Sequence, residues 1–206
     1  MNIIGVTNRN LCEDFYKRID EISRSNLKYL ILREKDLDDD ELLLMAKRVK
    51  SILSNCSIKL IINNNINVAN KVNSYGVHLS YKDFLKNNHK SFKGIVGVSV
   101  HSFEEAIDVE RKGADYIIYG HIYETNCKKG LKPRGLEELK KICAAINIPV
   151  YAIGGISEKN YYDVLRCGVS GVAIMSSLMM GKDLLRIVWN NPFFFLKQLK
   201  TSYYKI

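Results

Sequence analysis

The sequence predicts an α/β protein, a (β/α)8 TIM barrel formed as a single domain over residues 1–206. Three observations predict it. Short apolar runs of strand length alternate eight times with longer amphipathic stretches. The runs are apolar throughout rather than at every second residue, the mark of parallel strands covered on both faces. No linker or shift in composition divides the chain. Eight such units close most naturally into a barrel. The competing arrangement, an open doubly wound sheet, lacks its G-x-G-x-x-G signature after the first strand.

The elements follow in order. Ile3-Ile-Gly-Val-Thr7 is the first strand, and a helix from Cys12 to Ser23 carries Phe15, Ile19 and Ile22 on one side. Tyr29 to Arg33 is the second strand. Its helix starts at Asp38, where acidic side chains cap and complement the positive helix end, and Leu42, Met45, Val49 and Ile52 recur at helical spacing. Lys59–Asn63 is the third strand, with a short helix through Ala69. Gly76–Leu79 is the fourth, with a helix from about Lys82. Ile95–Val100 is the fifth, and Ser102-Phe-Glu-Glu105 reads as a capping box opening a helix that stops at Gly113. Asp115–Tyr119 is the sixth. Its connection to the helix at 135–146 is the one long loop. Pro149–Ile153 is the seventh, followed by a helix over 158–167 with Gly168 as the stop. Gly171–Met175 is the eighth, with an apolar-rich helix expected onward to the C-terminus.

Composition narrows the function. The five cysteines, Cys12, Cys56, Cys127, Cys143 and Cys167, are scattered and form no C-x-x-C pair, which argues against a disulfide framework and a zinc site. With no signal-peptide pattern and no apolar run near the ~20 residues of a membrane helix, a cytoplasmic protein without a membrane partner is expected. The net charge of +9 suits anionic small molecules. Lysines spread along the chain, without an arginine-rich block, argue against nucleic acid as a partner. Phe193–Phe195, with Trp189 nearby, would either cover the barrel wall or form a homodimer patch.

Barrels of this kind place their active sites at the C-terminal ends of the strands. The residues there are Arg33, Glu34 and Lys35; Asn63 and Asn64; His78 and Asp83; Ser99 and His101; His121, Thr125, Cys127 and Lys128; Gly154 and Gly155; and Ser176 and Ser177. Ile153-Gly-Gly-Ile-Ser157 and Met175-Ser-Ser177 form the pair of loops that phosphate-binding barrels use, with Gly154, Gly155, Met175 and Ser176 as the candidate phosphate cradle. Arg33 and Lys35 are suited to phosphate or carboxylate oxygens. His121 is either an acid/base group or a buried histidine satisfied by a backbone carbonyl. His78 and His101 carry the same two readings. Cys127 lies near cations that would lower its pKa.

Together these motifs resemble the thiamine phosphate synthase and thiazole tautomerase superfamily. The likeness rests on Leu32-Arg-Glu-Lys35, Ile61-Ile-Asn63, Gly76-Val-His-Leu79, Gly97-Val-Ser99 with His101, Gly113-Ala-Asp-Tyr116, Ala152-Ile-Gly-Gly-Ile156 and Gly171-Val-Ala-Ile-Met-Ser176. The synthases join an aminopyrimidine diphosphate to a thiazole phosphate with magnesium (Mg2+). The resemblance implies that Arg33, Lys35, Asn63 and Lys128 hold the diphosphate, with Ser99 nearby. Thr125 and the backbone around Gly155 and Ser176 would hold the thiazole phosphate, and Asp83 matches a metal carboxylate. Three positions depart from the synthases: Asn64 stands where they carry Asp, Ile31 where they carry Gln, and Gly120-His121 with Thr125-Asn-Cys-Lys128 where they carry Gly-Pro and Thr-x-Thr-Lys. The last departure is similar to the tautomerase branch. The resulting expectation is an isomerase, a thiazole tautomerase with His121 as general acid/base and no cofactor. The alternatives are a thiamine phosphate synthase using Mg2+ and a non-catalytic regulator on the same scaffold.

Overall fold

Eight parallel strands hydrogen-bond in chain order and close, the eighth pairing with the first. The computed structural model describes residues 2–86, 89–125, 128 and 130–181. Cys127, Trp189, Phe193–Phe195 and the helix expected beyond residue 181 lie outside them. The elements are β1 (Asn2–Val6), α1 (Phe15–Ser23), β2 (Tyr29–Leu32), α2 (Asp39–Ile52), β3 (Lys59–Asn63), α3 (Ile66–Lys71), β4 (Gly76–Ser80) and α4 (Tyr81–Lys86). They continue with β5 (Ile95–Val100), α5 (Phe103–Arg111), β6 (Tyr116–Gly120), α6 (Gly135–Ala145), β7 (Val150–Ile153), α7 (Tyr161–Leu165), β8 (Gly171–Ile174) and α8 (Ser176–Met180). The expected barrel is therefore present.

Capping explains where the helices begin. The Asp14 side chain accepts from the Lys17 N–H, so α1 starts at Phe15 and not at Cys12; residues 9–11 form a separate 3-10 turn. The reciprocal capping box lies at Asp38 and Glu41. The one expected at Ser102 is only half made. Ser102 caps Glu105, but the Glu105 carboxylate reaches one residue further back, to the His101 N–H at 2.6 Å. Gly113 and Gly168 supply the left-handed stops, at φ 91° and 90°. The helix expected over 158–167 is confined to α7, because Asn160 accepts from the Ser157 N–H and donates to the Gly155 carbonyl, holding that loop out of the helix.

Two apolar sets follow from strand alternation. Outward residues such as Leu30, Leu32, Val98 and Ile117 pack against the helices. Inward residues Ile4, Val6, Ile31, Ile61, Ile118 and Ala173 fill the barrel with Tyr116 and Tyr151. Each Val, Leu or Ile side chain so buried contributes about 1.5–3 kcal/mol. Among the described residues no helix is long and apolar enough to cross a membrane.

Candidate functional site

Continuing the same inward alternation toward the C-terminal ends turns the filling from apolar to polar. Ile31 is followed by Arg33, Ile61 by Asn63 and Gly97 by Ser99, while β4 presents His78 and Ser80. Arg33, Asn63, His78, Ser80 and Ser99 line a cavity of about 600 Å³ whose floor is Val6, Ile31, Ile118, Ile153 and Ala173. A greasy floor under a polar rim suits a heteroaromatic ring bearing a charged group.

One wall is cationic because its acid is turned away. Glu34 is buried, accepting from Thr7 Oγ1 at 2.6 Å and from the Arg9 N–H at 3.0 Å. The Arg9 guanidinium lies 3.4 Å from Glu34 and grips Asp36 through both terminal nitrogens. Thr7 Oγ1 in turn accepts from the Arg33 N–H at 2.9 Å, which fixes the strand end that presents Arg33 and Lys35. Arg33's charge first, then burial and the charge of Lys128, hold Lys35 below the ordinary lysine range, with Asp83 partly offsetting them. Three cations thus converge on one side of the cavity, where a bound anion would relieve their repulsion.

Asn64 adopts φ 53°, a left-handed conformation that asparagine tolerates well. Its carbonyl oxygen accepts from the Ser80 N–H at 2.7 Å, and its amide donates to Asp83 Oδ2 at 2.7 Å. Ser80 Oγ donates to the same carboxylate oxygen. Asp83 therefore stands behind Asn64 and Ser80, outside the cavity lining, and is held by both.

His121 lines the cavity, but its Nε2 lies 3.2 Å from the Leu131 carbonyl, and its own carbonyl accepts from the Arg134 N–H. The ring pins the loop that brings Thr125 and Lys128 to the rim. His78 is buried between Tyr116 and Ser99, and burial, aided by the charge of Arg33, lowers its pKa to about 3. His101 is on the rim, its pKa lowered chiefly by burial. His89 stacks on Phe84 and does not line the cavity.

Gly154 and Gly155 have φ 100° and 66°. Side chains there would strike His121 and the backbone at Tyr123 and Glu124, so the glycines allow the connection after β7 to lie directly on the connection after β6. Met175, Ser176 and Ser177 complete that side of the rim. The structure thus gathers Arg33, Lys35, Asn63, Ser99, His121, Thr125, Lys128, Gly154, Gly155, Met175 and Ser176 around one cavity. Sequence reasoning missed Ser80, Met180 and the apolar floor, and had Ser157 only as the end of the loop after the seventh strand. The floor was legible in the strand alternation, and Ser80 was lost because β4 runs one residue longer than expected.

Fold and site define a (β/α)8-barrel protein with a cation-rich, small-molecule cavity at its C-terminal mouth. The chain belongs to the thiamine monophosphate synthase family, which matches residues 3–178. It is 36% identical over 193 residues to the thiamine-phosphate synthase of Clostridium acetobutylicum, covering 90% of this chain and 92% of that protein. It is 34% identical over 190 residues to that of Fusobacterium nucleatum, again with 90% and 92% coverage. The structure of thiamine phosphate pyrophosphorylase from Pyrococcus furiosus superimposes with a TM-score of 0.79 at 30% identity over 89% of each chain.

These relatives overturn the expectation of a tautomerase and of isomerase chemistry: the curated ones are named as synthases. The geometry explains the misreading. His121 makes the Leu131 carbonyl contact that its alternative reading described, a contact that a separation of ten positions hides from the sequence. The expectation of no cofactor was tied to the tautomerase; the synthase family supports the Mg2+ alternative in general terms.

Proposed function

We propose that this protein is a thiamine phosphate synthase, a transferase that joins hydroxymethylpyrimidine diphosphate to thiazole phosphate and releases pyrophosphate. The observation that carries the reading is the convergence of Arg33, Lys35 and Lys128 beside Asn63 and Ser99 on one wall of the cavity. As the thiazole displaces the diphosphate, negative charge grows on the leaving group. Fixed cations already aimed at it lower the barrier without reorganising. Arg33, Lys35, Asn63, Ser99 and Lys128 take the diphosphate. Thr125 and the backbone at Gly154, Gly155, Met175 and Ser176 take the thiazole phosphate, and the apolar floor seats the rings and excludes water. His121 holds the loop that carries Thr125 and Lys128.

The residues present fit magnesium in the form that suits a phosphate substrate. Magnesium is commonly held by one or two carboxylates together with substrate phosphates and waters. Among the described residues no cluster of three His, Cys, Asp or Glu offers a complete site. Asp83 is the acidic group beside the cationic wall, oriented by Asn64 and Ser80. Asp83 would hold the ion, which would neutralise charge on the leaving diphosphate.

The test is incubation with both phosphorylated substrates and magnesium, reading pyrophosphate release. Stoichiometric release with formation of thiamine phosphate is expected. Binding of both substrates without release overturns the reading in favour of a regulator.

A further inference from the structure

Tyr116 lies below the polar rim and has no part in the roles above, yet it is tied to one of them. In the strand register Asn63, His78, Gly97 and Tyr116 are successive partners across β3 to β6. Gly97 contributes no side chain there, and a Cβ at that position would overlap the Tyr116 ring. The phenol therefore crosses over Gly97, and its oxygen comes to rest 3.1 Å from His78 Nδ1. On the far side of the imidazole, Nε2 lies 2.8 Å from Ser99 Oγ, and Ser99 faces the cavity.

The chemistry of the groups sets the direction of this chain. Tyr116 is 4% exposed, and among the described residues its hydroxyl has His78 Nδ1 as its hydrogen-bond partner. A buried phenol hydrogen needs an acceptor, and the ring nitrogen is the acceptor within reach. An imidazole that accepts at Nδ1 carries its hydrogen at Nε2. That hydrogen goes to Ser99 Oγ. The serine oxygen thus receives from inside the barrel, and its own hydrogen is left to point outward. Burial keeps His78 neutral and pushes the Tyr116 phenol well above its ordinary value, so both groups hold these states at neutral pH.

We propose that Tyr116 is a positioning residue: by fixing His78 as the Nε2–H tautomer, it aims the Ser99 hydroxyl hydrogen into the cavity, at the substrate diphosphate. The identity of that anion rests on the synthase reading; the polarity of the relay does not. Tyr116→Phe keeps the ring over Gly97 but removes the hydrogen. His78 is then free to carry its own hydrogen at Nδ1, and Nε2 competes for the Ser99 hydrogen.

Two measurements on the intact protein test this. Imidazole ¹⁵N NMR, with His78 assigned through His78→Gln, should show the Nε2–H tautomer in the wild type and its loss in Tyr116→Phe. Calorimetric titration with inorganic pyrophosphate and magnesium should show Ser99→Ala and Tyr116→Phe each weakening binding by roughly tenfold or more. The double variant should bind no more weakly than Ser99→Ala. An Nδ1–H tautomer in the wild type overturns the proposal, as does a Tyr116→Phe penalty that persists in full without Ser99. If Ser99→Ala binds pyrophosphate like the wild type, Ser99 is not aimed at the diphosphate and that half fails; pyrophosphate release in the two-substrate assay then shows whether the synthase reading survives independently.

Discussion

The two mouths of the barrel are built from the same eight strands and end in opposite chemistry. At the N-terminal mouth Tyr29 stacks on Tyr75 with ring centroids 5.7 Å apart, and Tyr116 meets Tyr151 edge-on at the same distance. Lys28 sits over the Tyr29 ring, and only about 120 Å³ of space remains. At the C-terminal mouth the side chains are short or charged, and about 600 Å³ stays open. Four large rings close one end by packing. At the other end, repelling cations keep a space that suits an anion. Ring packing and the proposed site are thereby separated along one axis of the barrel.

Substitutions at each end sharpen or break that division. The largest effect belongs to the open mouth: Arg33→Ala should cut kcat/KM by on the order of 10²–10³, as loss of one charge-stabilising donor does elsewhere. Its urea midpoint should be unchanged, since the backbone of Arg33 and not its side chain holds Thr7. Comparable activity in this variant would show that the cationic wall is not used.

Next comes the centre. An unfolded imidazole takes up a proton near 6.5, whereas buried His78 does so only near 3. Between those values the unfolded state binds more protons, so stability should fall as pH drops from 6.5 towards 3, by a few kcal/mol at most, and His78 should contribute no slope above 6.5. Urea unfolding across that range should show the fall, and His78→Gln should shrink it.

The closed mouth follows. A Cβ at Gly171 would overlap the Asn2 carbonyl and press on Tyr151. Gly171→Ala should therefore cost about 1–3 kcal/mol while leaving kcat/KM nearly unchanged. A large loss of activity without a loss of stability would erase the distinction between the ends.

The smallest effect is at Lys35. Its pKa lies below 10.5, chiefly because of Arg33, so pyrophosphate affinity should begin to fall on the alkaline side before an ordinary lysine would deprotonate. The decline should not be steeper than about tenfold per pH unit, since a single proton is lost. Calorimetric titration with pyrophosphate at rising pH reads it, and Lys35→Arg should flatten the profile.

The barrel was legible because it rests on local pattern: β3 and β5 fall at their expected limits, and the apolar runs mark the remaining strands. The tyrosine packing at the closed mouth was not read, because its rings come from four different strands or strand ends. The open mouth was legible as a set of residues, since they lie near or beyond the C-terminal ends of the strands. What each residue does there was not. Glu34 sits between two cations in sequence, yet it is spent on Thr7 and Arg9, 27 and 25 residues away. His78 looked like any histidine on a strand until the register set it across Gly97 from a phenol. Such roles depend on which strand lies alongside which, and a single chain read in order does not contain that distance.

The contact at Gly154 and Gly155 has one more consequence. With no side chain to separate them, the stretches at 121–124 and 153–155 are laid one on the other, joined by the Ile122 and Tyr123 amides. Neither can be redesigned by itself. Anyone transplanting a different sixth connection onto this scaffold would have to carry the seventh along with it, so the two halves of the rim are inherited as a single part.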